Sequence, residues 1–148
     1  MDREELLREL DALVHMESDA MGLYAEAVNC ARERNPEMEP HMQRHLDDHK
    51  RHAEAIAATI VRLGGTAPAE HFDAVGRHLH WPTMLRANPC KEGALEALAA
   101  AEHYHTLCYD AAVQWDVADA EIAAMLREFA ADEHRHKEFI IAQMTVAA

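Results

Sequence analysis

One metal-ligand pattern occurs twice in this chain of 148 residues. Glu17 is followed seven residues later by Tyr24 and then by His49-Lys50-Arg51-His52. Glu102 is followed seven residues later by Tyr109 and then by Glu133-His134-Arg135-His136. From Glu17 to His52 is 35 positions, and from Glu102 to His136 is 34. A single Glu-x-x-His is commonplace in a chain with 12 histidines. A near-equal repeat, each copy led by Glu-x6-Tyr, is not. Two helix hairpins meeting face to face, with carboxylates and imidazoles between them, satisfy the pattern.

The local signals agree. Asp2 with Glu5 three residues later forms a capping box, and Leu6, Leu10, Leu13, Val14, Met21 and Val28 recur at helical spacing. The first helix is expected over about 3–34, where Asn35-Pro36 interrupts it. A second, over about 40–63, starts at Pro40, which a first turn tolerates, and stops at Gly64-Gly65. Residues 64–88 lack sustained periodicity and form a connection, with a short helical piece near Phe72–Leu79. Asn88-Pro89 reads as the start of a third helix over about 89–115, and a fourth covers about 119–146. Two short turns and one long middle connection make a single domain, 1–148, in which the crossover runs the length of a four-helix bundle. Aromatic residues are only 5% of the chain, while unbranched helix formers abound.

A formal charge of −13 argues against a nucleic-acid partner, which calls for a basic face. Such a surface keeps a protein soluble and also attracts cations. The polar N-terminus is unlike a secretory signal, and no apolar run is long enough to span a membrane. Cys30, Cys90 and Cys108 are odd in number and widely spaced, without Cys-x-x-Cys, so no thiolate metal knuckle or disulfide framework is indicated. A cytoplasmic protein is expected.

On a helix, positions i and i+3 share a face, so His49 with His52 and Glu133 with His136 each grip one region. Glu17 and Glu102 fall within runs suited to burial, where a carboxylate needs a partner or a metal. Together these oxygen and imidazole groups suit iron or manganese, with zinc as a competitor. Tyr24 and Tyr109 lie two turns from the glutamates on the same face. They either pack in the core with the hydroxyl on a buried carboxylate, or act at the metal by orienting its ligands or relaying a radical. His41 and His45 extend the histidine stripe of the second helix; His45 is a further ligand or a point of metal access, or else part of a solvated edge. His71, His78 and His80 read as surface residues of the connection or an accessory metal site.

From about Leu6 to Met144 the chain resembles the ferritin-like di-iron carboxylate proteins, above all bacterioferritin and the rubrerythrin bundle. Glu17 with Tyr24 is similar to the family's first-helix Glu-x6-Tyr, and Glu133 with His136 to its fourth-helix Glu-x-x-His. His52 stands at the family's distance from Leu63-Gly64-Gly65. Glu102-His103-Tyr104-His105 is similar to the rubrerythrin Glu-x-Tyr-Glu, with His105 in place of the second glutamate. The resemblance implies an all-α ferritin-like four-helix bundle with one long crossover between helices 2 and 3. It also implies two irons per chain held by Glu17, His49, His52, Glu102, His105, Glu133 and His136, and a homodimer or higher homo-oligomer. Two positions depart from it. His49 stands where the family places a bridging glutamate, which lowers the site's negative charge and favours a reduced ion. Asp48 could supply that carboxylate only in a shifted register. Lys50 stands where bacterioferritin has its haem-ligating methionine, so no haem is expected.

Three functions follow. The first is an oxidoreductase whose paired iron, or iron and manganese, reacts with dioxygen or peroxide. The second is a non-catalytic iron or divalent-metal binder or store, and the third is a bundle that serves as a scaffold without metal.

Overall fold

The structure, a computed structural model, describes residues 1–68 and 94–147. Among these are four helices and no strand: α1 (Arg3–Arg34), α2 (Glu39–Arg62), α3 (Ala94–Ala112) and α4 (Ala120–Ala147). The expected helical piece near Phe72–Leu79, the helix start at Asn88-Pro89, and His71, His78, His80, Trp81 and Cys90 lie outside the described residues.

Local chemistry sets the helix ends. Asp2 Oδ1 accepts from the Glu5 N–H at 2.8 Å, which satisfies one of the open donors of the first turn. α1 closes where the Asn35 N–H reaches Ala31 O at 2.8 Å. Pro40 sits in the first turn of α2, where its missing N–H costs nothing. At the other end the Gly65 N–H bonds to Ile60 O and the Gly64 N–H to Val61 O, with Gly64 at φ +78°. This double closure requires a left-handed residue, which glycine adopts without penalty. Arg3 Nε donates to Leu63 O at 2.7 Å and ties the start of α1 to this end of α2. α3 stops at Ala112, short of the expected 115, because the Gln114 and Trp115 N–H groups bond three residues back and tighten the last turn. Asp119 Oδ1 then accepts from the Glu121 and Ile122 N–H groups and starts α4.

Cross-helix contacts give the topology. Tyr24 meets His45 while Glu17 meets His49 and His52, so α1 and α2 run antiparallel. Tyr24 also reaches Glu102 while Tyr109 reaches Glu17, so α1 and α3 are antiparallel neighbours. His52–Asp132 and His136–Asp48 set α2 against α4 in the same sense. α2 and α3 therefore point the same way, so the end of α2 and the start of α3 lie at opposite ends of the bundle.

The core has two apolar parts. One gathers Leu6, Leu10, Leu13, Val14, Ile56, Ile60, Ile122, Leu126 and Phe129; the other gathers Met21, Val28, Met42, Leu46, Leu98 and Ile140. Between them, at the positions that continue each helix's buried stripe, the side chains turn polar. Cys30 is disulfide-bonded, against the expectation of no disulfide: wide spacing in sequence does not limit proximity in the fold. Among the described residues no helix is long and apolar enough to cross a membrane.

Leu10 has no exposed surface and anchors the first cluster. Leu10→Ala should cost about 3 kcal/mol of stability in chemical denaturation, as leucine truncations in packed cores do. A loss below about 1 kcal/mol would contradict this packing.

Candidate metal centre

The polar slice takes side chains from all four helices. α1 contributes Glu17 and Tyr24, α2 His45, His49 and His52, α3 Glu102, His105 and Tyr109, and α4 Glu133 and His136. All are buried; His45, at 8% relative exposure, is the most accessible of them. The seven expected ligands are thus brought into one region, with the two tyrosines and His45 around them.

Two groups of donors form within the slice. Glu17, His49, His52 and Glu133 each present an atom within 4.8 Å of the others, and so do His49, Glu102, His105 and Glu133. Ligand atoms on opposite sides of one ion stand about 4.2 Å apart, twice a typical metal–oxygen or metal–nitrogen length, so small side-chain shifts close either group on a cation. His49 and Glu133 belong to both. Glu133 Oε1 lies 3.3 Å from His52 Nδ1 and 3.7 Å from His49 Nδ1, while its Oε2 lies 3.6 Å from His105 Nδ1. One carboxylate thus faces both groups.

A hydrogen-bond count tests whether a metal fits. Buried polar atoms are almost always paired. Here His49 Nε2, Glu102 Oε2, both Glu133 oxygens and His136 Nδ1 are buried and accept or donate no hydrogen bond. These atoms converge from three helices and are all metal-ligating types. A cation in the slice would satisfy them, so the residues present fit one.

The remaining bonds orient these ligands, and they are reciprocal. Tyr24 on α1 donates to Glu102 Oε1 on α3, and Tyr109 on α3 donates to Glu17 Oε1 on α1. The sequence alone left open which carboxylate each hydroxyl meets; each takes the one on the opposite hairpin. His52 Nε2 donates to Asp132 Oδ2 at 3.0 Å, and His136 Nε2 donates to Asp48 Oδ2 at 3.0 Å. Each aspartate fixes its histidine's outer nitrogen, directing Nδ1 inward, the arrangement that orients imidazole ligands at metal sites. Arg51 bonds to both Asp48 and Asp132, and Arg135 pairs with Asp132. Asp48 therefore stands behind His136 and belongs to neither donor group, which removes the shifted register. Asp132 was not singled out from the sequence, although its place four residues before His136, matching Asp48 before His52, carried the signal.

The charges hold one another. Burial works against the charged form of His52, but the carboxylates of Glu133, Glu17 and Asp132 outweigh it and push its pKa up to about 9. Burial likewise opposes a charged His49, yet Glu133, Glu17 and Glu102 raise it well above its usual range. Burial would raise Glu17 and Glu133, and the adjacent histidines bring both below the ordinary carboxylate range. Burial, with Glu102 beside Tyr24 and Glu17 beside Tyr109, raises both tyrosines well above their usual value, so they remain neutral donors. At His45 burial dominates, with His136 and His49 adding repulsion, and lowers the pKa to about 3.

The pH dependence follows. In metal-free protein, the ion pairing of His52 stabilises the fold fully below its unfolded pKa of 6.5 and is lost as pH rises through about 9. The carboxylates act oppositely, contributing above 4.5 and losing that contribution on acidification. Metal-free protein should therefore melt at lower temperature at pH 9 than at pH 6.5. A metal ion must displace the inner His52 proton, so binding at neutral pH should release protons. Calorimetric titrations in two buffers of different ionisation heat measure that release; equal heats in both would contradict it.

Residues 1–147 match the model of the DUF892 family, described as a domain of unknown function, and the chain belongs to that family. No curated protein matches it. Among solved structures it is similar to a dodecameric thioferritin, the bacterioferritin-related protein from Bacteroides fragilis. The two share 17% identity at a TM-score of 0.74, over 99% of this chain and 92% of that one. The likeness makes the fold an all-α ferritin-like four-helix bundle, and its buried His/Glu groups are able to bind metal.

Proposed function

We propose that this member of the DUF892 family holds two metal ions side by side in the middle of its bundle and uses them, as iron, in a redox reaction with dioxygen or peroxide. Glu17, His52 and Glu133 form the first position; Glu102, His105 and His49 through its unbonded Nε2, with Glu133 shared, form the second. The observation that carries this reading is the Glu133 carboxylate, whose two buried oxygens accept no hydrogen bond and face the two donor groups from one side chain.

The protein's own groups do the positioning. Tyr109 and Tyr24 steady the outer carboxylates by hydrogen bonds. Asp132 holds the His52 ring against rotation, and the apolar clusters on either side exclude water. Two ferrous ions bound there would supply the two electrons that, with two protons from solvent, reduce hydrogen peroxide to water. His49 in place of a carboxylate makes the site less anionic than four carboxylates would, which favours the ferrous state and calls for a strong oxidant.

That same nitrogen-rich set favours a second reading, a non-catalytic binder of divalent metal. Five buried histidines, at 45, 49, 52, 105 and 136, stand against the carboxylates of Glu17, Glu102 and Glu133. Imidazole suits zinc as readily as iron.

Elemental analysis of protein purified without chelator or affinity tag, followed by anaerobic Fe(II) loading and mixing with dioxygen or peroxide, separates the readings. Two irons per chain and oxidation within seconds support the enzyme; bound metal that stays ferrous supports the binder. Glu133→Gln should lose more than half of the metal, because it serves both positions, and unchanged metal content would overturn the shared-carboxylate site. The fold also leads us to expect a homo-oligomer. Tyr104 and Leu107, both more than half exposed on α3, are apolar groups that association would cover. Light scattering should give a mass at least twice that of the 16.7 kDa chain.

A further inference from the structure

Beyond the two donor groups assigned above lies a third, made of His45, Glu102 and His136, whose ligand atoms also fall within 4.8 Å of one another. Resting on the proposed dinuclear reading, we infer that these three side chains form a third divalent-cation position, at the edge of the slice toward solvent.

Four observations support it. The second position is already supplied by His49, Glu102, His105 and Glu133, so His136 is not required there. His136 donates its Nε2–H to Asp48, which turns Nδ1 inward, where that atom is buried and unbonded. Glu102 divides its oxygens: Oε1 receives the Tyr24 hydroxyl and lies 3.8 Å from His49 Nε2, while Oε2 is unbonded and lies 3.9 Å from His136 Nδ1. Glu102 is thereby able to join the second and third positions as Glu133 joins the first and second. Finally, the single Tyr24 proton is committed to Glu102, so the 3.3 Å contact between Tyr24 and His45 requires His45 Nδ1 to carry a proton. That tautomer leaves Nε2 of His45 with its lone pair available. The resulting set, two imidazoles and one carboxylate, is a combination that binds divalent transition metals with positions to spare.

The surroundings fit an outer position. His45 retains 8% exposure, against 2% or less for the expected ligands. Its ring stacks on His136 with centroids 4.1 Å apart and meets Phe139 edge-on at 5.4 Å. One turn nearer the start of α2, the partly exposed His41 stacks on the other side of this edge against Phe139.

Equilibrium dialysis of the full-length protein against Co(II), with elemental analysis of the protein compartment, tests the inference. The variant is His45→Phe, which keeps the aromatic stack but removes the donor nitrogens; His45→Gln is a second, polar variant, and circular dichroism checks that both fold. We expect three Co(II) per wild-type chain and two in both variants, with an anomalous-scattering peak beside His45 present only in the wild type. Equal Co(II) content in wild type and folded variants, whether two or three, overturns the third position and leaves the dinuclear reading standing. A wild-type chain that binds fewer than two Co(II) overturns the dinuclear reading itself.

Discussion

Burying three carboxylates and several imidazoles in one slice of a helical bundle is the constraint to which the rest of the molecule answers. An ion moved out of water loses several kcal/mol of solvation even after relaxation, and only close partners of opposite sign offset it. Glu17, Glu102 and Glu133 have no exposed surface, and neither have His49 and His52. Each must therefore find its complement inside. In metal-free protein the complement is a proton: Glu17 and Glu133 are held charged by His49 and His52, which they themselves keep protonated. A cation there would do the same work and would also satisfy the atoms that protons leave unbonded. The apolar clusters above and below are what make the bargain strict, since they bar water from substituting for either.

Reciprocity between the hairpins follows from the repeated sequence. The first hairpin's Glu17 is steadied by Tyr109 and the second's Glu102 by Tyr24. The first hairpin's His52 is held by Asp132 and the second's His136 by Asp48. Neither hairpin alone could satisfy its own buried groups, so the slice couples them. The coupling reaches the surface at Arg51, which spans Asp48 and Asp132 and lies 5.6 Å from the centre of the Phe129 ring, itself stacked on His52. Arg51 thus closes the hydrogen-bond network behind His52 and His136.

Much of this was legible in the sequence because residues that share one helix face recur at helical spacing. Glu17, His49, His52, Glu102, His105, Glu133 and His136 are separated as one face of each helix requires, and the structure places them together. Asp2, Pro40 and Gly64-Gly65 marked helix ends by chemistry that needs no tertiary context. What was not legible depends on partners across the bundle. Asp132 is ordinary helix decoration until His52 is opposite it, and Asp48 looked like a spare ligand until His136 claimed it. The end of α3 moved because a tightened turn is set by how the chain reaches α4, not by the apolar pattern through Trp115. The disulfide at Cys30 was hidden for a similar reason, since spacing along the chain carries no distance through space.

The imidazole at position 49 has a geometric consequence as well as an electrostatic one. Two divalent ions in the proposed centre would meet three carboxylates, so the site would carry net positive charge and resist the further charge that oxidation adds. A bridging carboxylate aims two nearly parallel lone pairs and draws ions together. A neutral imidazole has a single lone pair, since its other nitrogen carries a proton: His49 Nδ1 donates to Glu17 at 2.7 Å, while Nε2 faces Glu102 at 3.8 Å. His49 can therefore serve one ion but cannot bridge two. Among the described residues that task falls to Glu133, whose two oxygens are both open. In this reading the separation of the metals, and with it the chemistry they can do together, depends on one side chain where a doubly bridged centre would share the load between two.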